Sequence, residues 1–189
     1  DFPQLAPHLA MRLAANAKPG DTVRTTIDLA LQERTERALA EALKQFDNDV
    51  TNAAAIIVNT ETAHVLARVG SADFYRTPGG GQVDGCRAAR SPGSALKPFT
   101  YALGIERNIL YSTEMLLDDS LDYGLYSPEN YDGKYRGLVS ATYALRHSLN
   151  VPAVTVLDRL GYDDLLRLLT ASGLTTLVKP ADYYGLGLT

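Results

Sequence analysis

The most informative segment of this chain is Ser91-Pro92-Gly93-Ser94-Ala95-Leu96-Lys97-Pro98-Phe99-Thr100. Proline is tolerated in the first turn of a helix, so Pro98 favours a helix that begins near Ser94. Residues three apart on a helix share a face, which would bring Ser94 and Lys97 together. A serine hydroxyl needs a neighbour to take its proton, and a lysine whose pKa is lowered by burial can do so. The stretch therefore predicts a nucleophile and its base at a helix N-terminus, where the partial positive charge favours a developing alkoxide.

A second motif lies downstream, at Ser148-Leu149-Asn150. An S-x-x-K motif alone also fits a bland interpretation, in which Ser94 caps a helix and Lys97 is solvated. Ser148 and Asn150 could likewise only satisfy the end of a helix. The two motifs together favour the catalytic interpretation, because S-x-x-K and S-x-N occur together in serine acyl-transfer enzymes.

Further stretches connect these motifs into an ordered series. The chain resembles the transpeptidase domain of class A, bifunctional penicillin-binding proteins, most closely those of the penicillin-binding protein 1C type. The resemblance rests on these stretches: Val23 to Asp28 with Leu31-Gln32, Arg90 to Thr100, Tyr126-Ser127-Pro128-Glu129-Asn130-Tyr131-Asp132-Gly133, Leu145 to Val154, and Gly185-Leu186-Gly187-Leu188-Thr189.

The resemblance implies a peptidoglycan DD-transpeptidase that cross-links stem peptides ending in D-Ala-D-Ala and is acylated by β-lactams. Ser94 would be the nucleophile and Lys97 its base. Ser148 would relay the proton to the leaving nitrogen, and Asn150 would hold the acyl side chain or Lys97. We expect Tyr126, Asn130 and Tyr131 to contact the substrate. No metal or cofactor is expected.

The resemblance also implies a longer parent protein. A membrane anchor and a glycosyltransferase domain would precede this chain, on the periplasmic side of the bacterial inner membrane. The implied fold is of the β-lactamase/transpeptidase type, α/β (α+β), an antiparallel sheet flanked by helices. Residues 1–21 would form a leader and residues 22–189 the N-terminal portion of the transpeptidase domain.

One element of the family pattern is absent from the sequence. None of the lysines begins a K-[ST]-G triplet; they are Lys18, Lys44, Lys97, Lys134 and Lys179. In the family that strand donates one of two oxyanion N–H groups, and losing one donor costs about a hundredfold in rate. We therefore expect this chain alone to be inactive, unless a second chain supplies the strand.

Two other classes of function are compatible with parts of the sequence. The absent third motif also fits a non-catalytic, penicillin-binding-like module that docks other cell-wall proteins. A serine–lysine hydrolase of another fold would share S-x-x-K, but the S-x-N motif and residues 126–133 argue against it. The net charge of −4 gives no basic stripe for nucleic acid. The single cysteine, Cys86, excludes an internal disulfide.

Hydrophobic periodicity and turn residues predict the elements around the motifs. In the first half we expect a short helix from His8 to Asn16, a strand from Thr22 to Ile27, and a helix capped by Asp28. A hairpin of residues 53–58 and 63–69 should follow, with both faces of its apolar first strand covered.

In the second half we expect a helix from Ser94 to Asn108 and a long loop from Leu116 to Gly137. A helix capped by Ser140 should run to Leu149. Pro152 predicts a break at Asn150. Two further helices should follow, Val154 to Leu160 and Tyr162 to Ala171, the second ended by Gly173.

Overall fold

The computed structural model describes residues 5–46, 50–124 and 126–188. Residues 1–4 of the expected leader, and Thr189 of the last matching stretch, lie outside this description. The chain divides into two compact units, residues 1–89 and 90–189. The leader boundary expected at residues 21 and 22 stays a prediction. None of the helices in the described ranges has both the length and the apolar character to cross a membrane.

Two helices of the first unit confirm the predictions made for them. Helix α1 spans Pro7–Ala14, and its His8 is buried, with Nε2 3.0 Å from both the Ser71 hydroxyl and the Gly81 carbonyl. Helix α2 spans Leu29–Leu43, and the Asp28 carboxylate accepts the Leu31 N–H at 2.8 Å. That bond is the expected N-cap, which satisfies one of the unpaired donors of the first turn.

The predicted hairpin is also present. Strands β1 (Ala55–Val58) and β2 (Val65–Val69) pair antiparallel, with Ala55 opposite Val69. The expectation that both faces of β1 are covered is wrong for the described residues, since Ile56 is 48% exposed and Val58 45%. An apolar run therefore marks this strand without deciding which of its faces is buried.

The strand predicted over Thr22–Ile27 is wrong. The segment has no regular secondary structure and joins no sheet in the described structure. Its Thr26 hydroxyl donates to the Val65 carbonyl of β2 at 2.6 Å, and Asp28, just after the segment, donates its N–H to the Leu66 carbonyl at 2.9 Å. β-Branched content fits any extended, half-solvated segment, and a ladder needs a partner that the local sequence does not specify.

Helix α5 (Asn150–Leu160) lies at the centre of the second unit. It packs against three helices, α3 (Lys97–Glu106), α4 (Ala141–Arg146) and α6 (Tyr162–Ala171). Five of its residues are fully buried: Val151, Ala153, Val154, Val156 and Leu157. Gly104 allows α3 to approach α5 closely, because a Cβ at this position would lie 3.3 Å from a methyl group of Val156.

The unit is completed by a second antiparallel pair and by short C-terminal helices. Strand β3 (Met115–Asp118) pairs with β4 (Gly137–Ser140), with Asp118 opposite Gly137. Helix α7 (Ala181–Tyr184) precedes a 3-10 helix, Gly185–Leu188. The expected combination of helices with antiparallel strands is thus confirmed, and in the described residues the strands form two separate two-stranded sheets.

Several boundaries differ from the predictions. The ends of the expected Leu116–Gly137 loop form β3 and β4. Helix α4 keeps its Ser140 cap, with 3.1 Å from the Tyr143 N–H to the hydroxyl, but ends at Arg146. The predicted break at Asn150 is wrong: α5 begins there, and Pro152 occupies its first turn, where its missing N–H costs no helical bond. Helix α6 confirms its predicted bounds.

Truncation of the α5 core should strongly destabilise the protein. We expect Leu157→Ala to lower the unfolding free energy by about 2–5 kcal/mol, because it leaves a cavity at a fully buried position. The matched control is Leu138→Ala on β4, where the leucine is 66% exposed and the expected change is within about 0.5 kcal/mol. Urea denaturation measures both. Equal losses in the two variants would contradict the central place of α5.

Candidate active site

Ser94 and Lys97 lie in one tight turn at the start of α3. Residues Gly93–Leu96 form a 3-10 helix, and the Lys97 N–H donates to the Ser94 carbonyl. Side chains three apart eclipse one another in a 3-10 helix, so the turn aligns Ser94 with Lys97. Ser94 is exposed, whereas Lys97 is only 1% exposed. The nucleophile candidate is therefore accessible to a ligand while its candidate base is buried.

The buried Lys97 amine is held by the second motif. Its Nζ donates to the Ser148 carbonyl at 2.7 Å and to Asn150 Oδ1 at 2.5 Å, and it lies 3.3 Å from the Ser148 hydroxyl. Burial lowers the pKa of Lys97, because desolvation disfavours the ammonium form. Within the described residues, the hydrogen bonds of Nζ connect it to Ser148 and Asn150 and none connects it to Ser94. The structure thus brings Lys97, Ser148 and Asn150 into direct contact, with Ser94 one turn away.

Ser148 has a strained backbone that explains where its carbonyl lies. Its φ is +54°, a left-handed conformation that side-chain-bearing residues rarely adopt. The Ser148 N–H donates to the Leu145 carbonyl at 3.0 Å, and the Leu149 N–H donates to the Ala144 carbonyl at 2.9 Å. These two bonds form a Schellman motif, in which glycine usually occupies the position that Ser148 takes here. The chain accepts a conformational cost at a residue whose hydroxyl and carbonyl both face Lys97.

Three polar groups of Asn150 are fixed by hydrogen bonds: its side-chain oxygen, its side-chain nitrogen and its backbone N–H. Its Oδ1 accepts from Lys97, while its Nδ2 donates to the Glu129 carbonyl at 2.6 Å. Its backbone N–H, one of the free donors at the start of α5, is accepted by Asn130 Oδ1 at 2.8 Å. The Asn150 amide therefore cannot rotate without losing a bond, and it presents its oxygen to Lys97.

The three residues expected to contact substrate have different surroundings. Tyr126 is 41% exposed and Tyr131 is fully exposed, so both side chains can reach a ligand. Asn130 is only 5% exposed, and its Nδ2 donates to both Asp118 oxygens and to the Lys134 carbonyl. The geometry gives Asn130 an internal supporting position, and its predicted contact with substrate stays a prediction. The roles of Tyr126 and Tyr131 stay predictions.

Two residues of this cluster were missed in the sequence. Asp118 is fully buried at the end of β3, and Tyr101 is 3% exposed on α3, one turn after Lys97. The Tyr101 hydroxyl makes no hydrogen bond within the described residues. Burial, followed by the nearby Asp118 carboxylate, raises the pKa of Tyr101. No local signal marks either residue: Asp118 and Asp119 follow the same apolar pair, and Tyr101 is one of 11 tyrosines.

Comparison with known proteins explains the arrangement. Residues 53–183 match the family model "Penicillin binding protein transpeptidase domain". The chain belongs to this family. The match contains both motifs, Ser94 with Lys97 and Ser148 with Asn150, so the family expected from the motifs is confirmed.

Named relatives of this transpeptidase domain include penicillin-binding proteins from two bacteria. The chain is 38% identical over 160 residues to penicillin-binding protein 1C of Escherichia coli, covering 85% of this chain and 20% of the relative. It is 31% identical over 157 residues to penicillin-binding protein 1F of Bacillus subtilis, covering 82% and 21%. The chain thus spans about a fifth of the length of these two relatives.

Solved structures support the fold of the transpeptidase domain. Penicillin-binding protein PonA1 of Mycobacterium tuberculosis superposes with a TM-score of 0.67 at 21% identity, covering 92% of this chain and 44% of that one. A peptidoglycan glycosyltransferase from Burkholderia ambifaria gives a TM-score of 0.68 at 20% identity, covering 80% and 45%. At these identities the likeness establishes the fold alone.

The strain at Ser148 generates a prediction that is independent of catalysis. Ser148→Gly and Ser148→Ala both remove the hydroxyl, but only glycine adopts a positive φ without steric cost. We expect Ser148→Gly to be about 1 kcal/mol more stable than Ser148→Ala, as measured by urea denaturation. The paired variants control for the lost bond to Lys97. Equal stabilities would show that the left-handed conformation carries no cost.

Proposed function

We propose that this chain carries the acylation site of a peptidoglycan DD-transpeptidase, with Ser94 as nucleophile and Lys97 as base. The observation that carries the proposal is the buried Lys97 amine, held by Ser148 and Asn150, one tight turn from the exposed Ser94. Family membership supports the same chemistry. A module that only docks other proteins would not require a lysine buried against the S-x-N motif, so this burial favours the catalytic proposal.

The acceptors around Lys97 fit a neutral amine. Such an amine has two N–H groups and one lone pair, and the Ser148 and Asn150 carbonyl oxygens can accept the two N–H groups. The lone pair is then available to take a proton. Burial lowers the pKa of Lys97 and so makes this neutral form more accessible.

The proposed reaction proceeds in two acyl transfers. Ser94 Oγ attacks the carbonyl carbon of the penultimate D-alanine, and its proton passes to Lys97 Nζ. The Ser148 hydroxyl, 3.3 Å from Nζ, relays a proton to the leaving nitrogen, so that the terminal D-alanine departs as a neutral amine. An amine of a second stem peptide then attacks the Ser94 ester, loses its proton through the same groups and restores the serine.

The substrates and partners follow from the same proposal. We assign stem peptides ending in D-Ala-D-Ala as substrates and β-lactams as inhibitors that acylate Ser94 and leave slowly. PonA1 has been solved in complex with penicillin V, with a TM-score of 0.69 at 21% identity and coverage of 93% of this chain and 46% of that one. The exposed Tyr126 and Tyr131 are the proposed substrate contacts.

The wider setting is proposed by analogy with class A synthases. The domain would act beside a glycosyltransferase domain, on the periplasmic side of the inner membrane, and be held there by an anchor outside these 189 residues. The K-[ST]-G strand, with its oxyanion N–H, would also be supplied from outside them, by the parent or by a second chain. Stable acylation of Ser94 in this chain alone would refute the need for that strand.

Substitution of the nucleophile should abolish covalent labelling. We expect Ser94→Ala, in the parent protein, to show no mass increase after treatment with a fluorescent penicillin, because the attacking hydroxyl is gone. Ser91→Ala is the matched control: Ser91 is an exposed serine of the same segment and should leave labelling intact. Intact-protein mass spectrometry measures the adduct. Labelling that survives Ser94→Ala would contradict the proposed nucleophile.

Acylation should also report the protonation of Lys97. Below its pKa the amine is protonated and cannot accept the Ser94 proton, so the acylation rate constant should rise with pH and level off above that pKa. Because burial lowers this pKa, the rise should occur below the ordinary value of 10.5. Stopped-flow acylation over a pH series measures it.

Substitution of Lys97 by arginine provides the control for charge. Lys97→Arg keeps a positive charge but stays protonated, so we expect a loss of about 100- to 10,000-fold in acylation. Lys44→Arg, on an exposed side chain of α2's C-terminal end, should have no effect. A pH-independent rate, or full activity in Lys97→Arg, would exclude Lys97 as the base.

A further inference from the structure

Asp118 is a buried carboxylate for which the proposed reaction has no use. It is fully buried at the end of β3, yet charged groups are rarely buried without a partner, because desolvation costs several kcal/mol per ion. Its nearest guanidinium, Arg136 Nη1, lies 3.9 Å from Oδ2. Its short bonds come from neutral donors instead, namely Asn130 Nδ2 at 2.8 and 3.0 Å and the Arg136 N–H at 3.0 Å.

The amide of Asn130 connects this carboxylate to the catalytic cluster. Its nitrogen end donates to Asp118, and its oxygen end accepts the backbone N–H of Asn150 at 2.8 Å. Asn150 in turn presents Oδ1 to Lys97 at 2.5 Å. The four residues form a continuous chain of hydrogen bonds from β3 to the start of α3, and Asp118 is the only anionic side chain in that chain.

The carboxylate also fixes which way the Asn130 amide points. Two carboxylate oxygens can face only the donor end of the amide, which leaves the acceptor end toward Asn150. An amide at position 118 could donate an N–H to the Asn130 oxygen as well as accept from Nδ2, so the Asn130 side chain could adopt either of its two orientations. A charged acceptor also strengthens the bonds that it receives.

We propose that Asp118 is a positioning residue that orients Asn150, through Asn130, and so holds the Lys97 amine in place for proton transfer from Ser94. The inference rests on the proposed function for its catalytic consequence. The positioning itself concerns the protein alone and can be measured without a substrate.

The charged and titratable groups around this network come from three elements. Asp118 lies on β3, Tyr101 on α3 and Arg136 immediately before β4. Lys97 forms no ion pair with any described residue. Loosening the Asn150 acceptor weakens a bond that favours the ammonium form of Lys97 and should lower its pKa further.

The first test compares two isosteric substitutions in the parent protein, Asp118→Asn and Asp119→Asn. Both remove one negative charge, but Asp119 is exposed, and its carboxylate accepts the N–H of the adjacent Ser120. We expect Asp118→Asn to slow acylation by a fluorescent penicillin by about ten- to a hundredfold. Its pH–rate profile should also shift to lower pH, while Asp119→Asn matches wild type. A purely structural defect would reduce the fraction acylated without shifting the profile, and that result would overturn the proposal.

A second measurement does not depend on acylation. Titration of 13Cε-labelled lysines by NMR reports the pKa of Lys97 directly in wild type and in each variant. A lower Lys97 pKa in Asp118→Asn than in Asp119→Asn supports the positioning role even if wild-type Ser94 proves unreactive, an outcome that would refute only the proposed function. Identical Lys97 titrations in the two variants overturn the proposal.

A double variant distinguishes loss of the Asp118–Asn130 pairing from misfolding of the single variants. Asn130→Asp alone places two carboxylates in contact and should reduce acylation as Asp118→Asn does. The double variant Asp118→Asn/Asn130→Asp restores a carboxylate–amide pair with the opposite polarity and leaves an oxygen to accept the Asn150 N–H, while the bond from residue 130 to the Lys134 carbonyl is lost. We expect the double variant to be acylated at least tenfold faster than the slower of the two single variants. Additive losses in the double variant would show that the two residues act independently and would overturn the proposal.

Discussion

The burial of the Lys97 amine is the constraint on which the second unit depends. A lysine at 1% exposure loses its hydration, and that loss must be offset by acceptors from the protein. Those acceptors belong to Ser148 and Asn150, 51 and 53 residues further along the chain. The site therefore forms only when α3 packs beside the junction of α4 and α5, and the stability of that core and the chemistry of the site are coupled.

The spacing of the S-x-N motif has a structural explanation. Ser148 occupies the left-handed position that ends α4, Leu149 is buried in the core at 3% exposure, and Asn150 is the first residue of α5. The middle position is thus an apolar anchor between two polar groups. Helices α3 and α6 end with the same pair of backbone bonds, using Asn108 and Gly173 at the left-handed position. Only at Ser148 does this position carry a hydroxyl that faces Lys97.

The elements that were predicted well are those whose signals are local. The Asp28 cap, the hairpin and the bounds of α6 each depend on residues within a few positions of one another. The errors fall where partners are distant. Thr22–Ile27 has strand-like composition without a ladder, and the strands β3 and β4 pair across a segment of eighteen residues between Asp118 and Gly137. Pro152 suggested a helix end, because a proline signal alone does not distinguish the first turn of one helix from the end of another.

The motifs S-x-x-K and S-x-N were enough to identify the family, because their short, fixed spacings can be read without knowing any distant contact. The tertiary structure was needed to show which of several similar residues are buried beside these motifs. Asp118 and Asp119 are adjacent and chemically identical, yet only Asp118 points into the core. Asn130 is buried beside Asn150, whereas its neighbour Tyr131 is fully exposed. Side-chain burial depends on contacts between distant segments, so no local pattern could have separated these pairs.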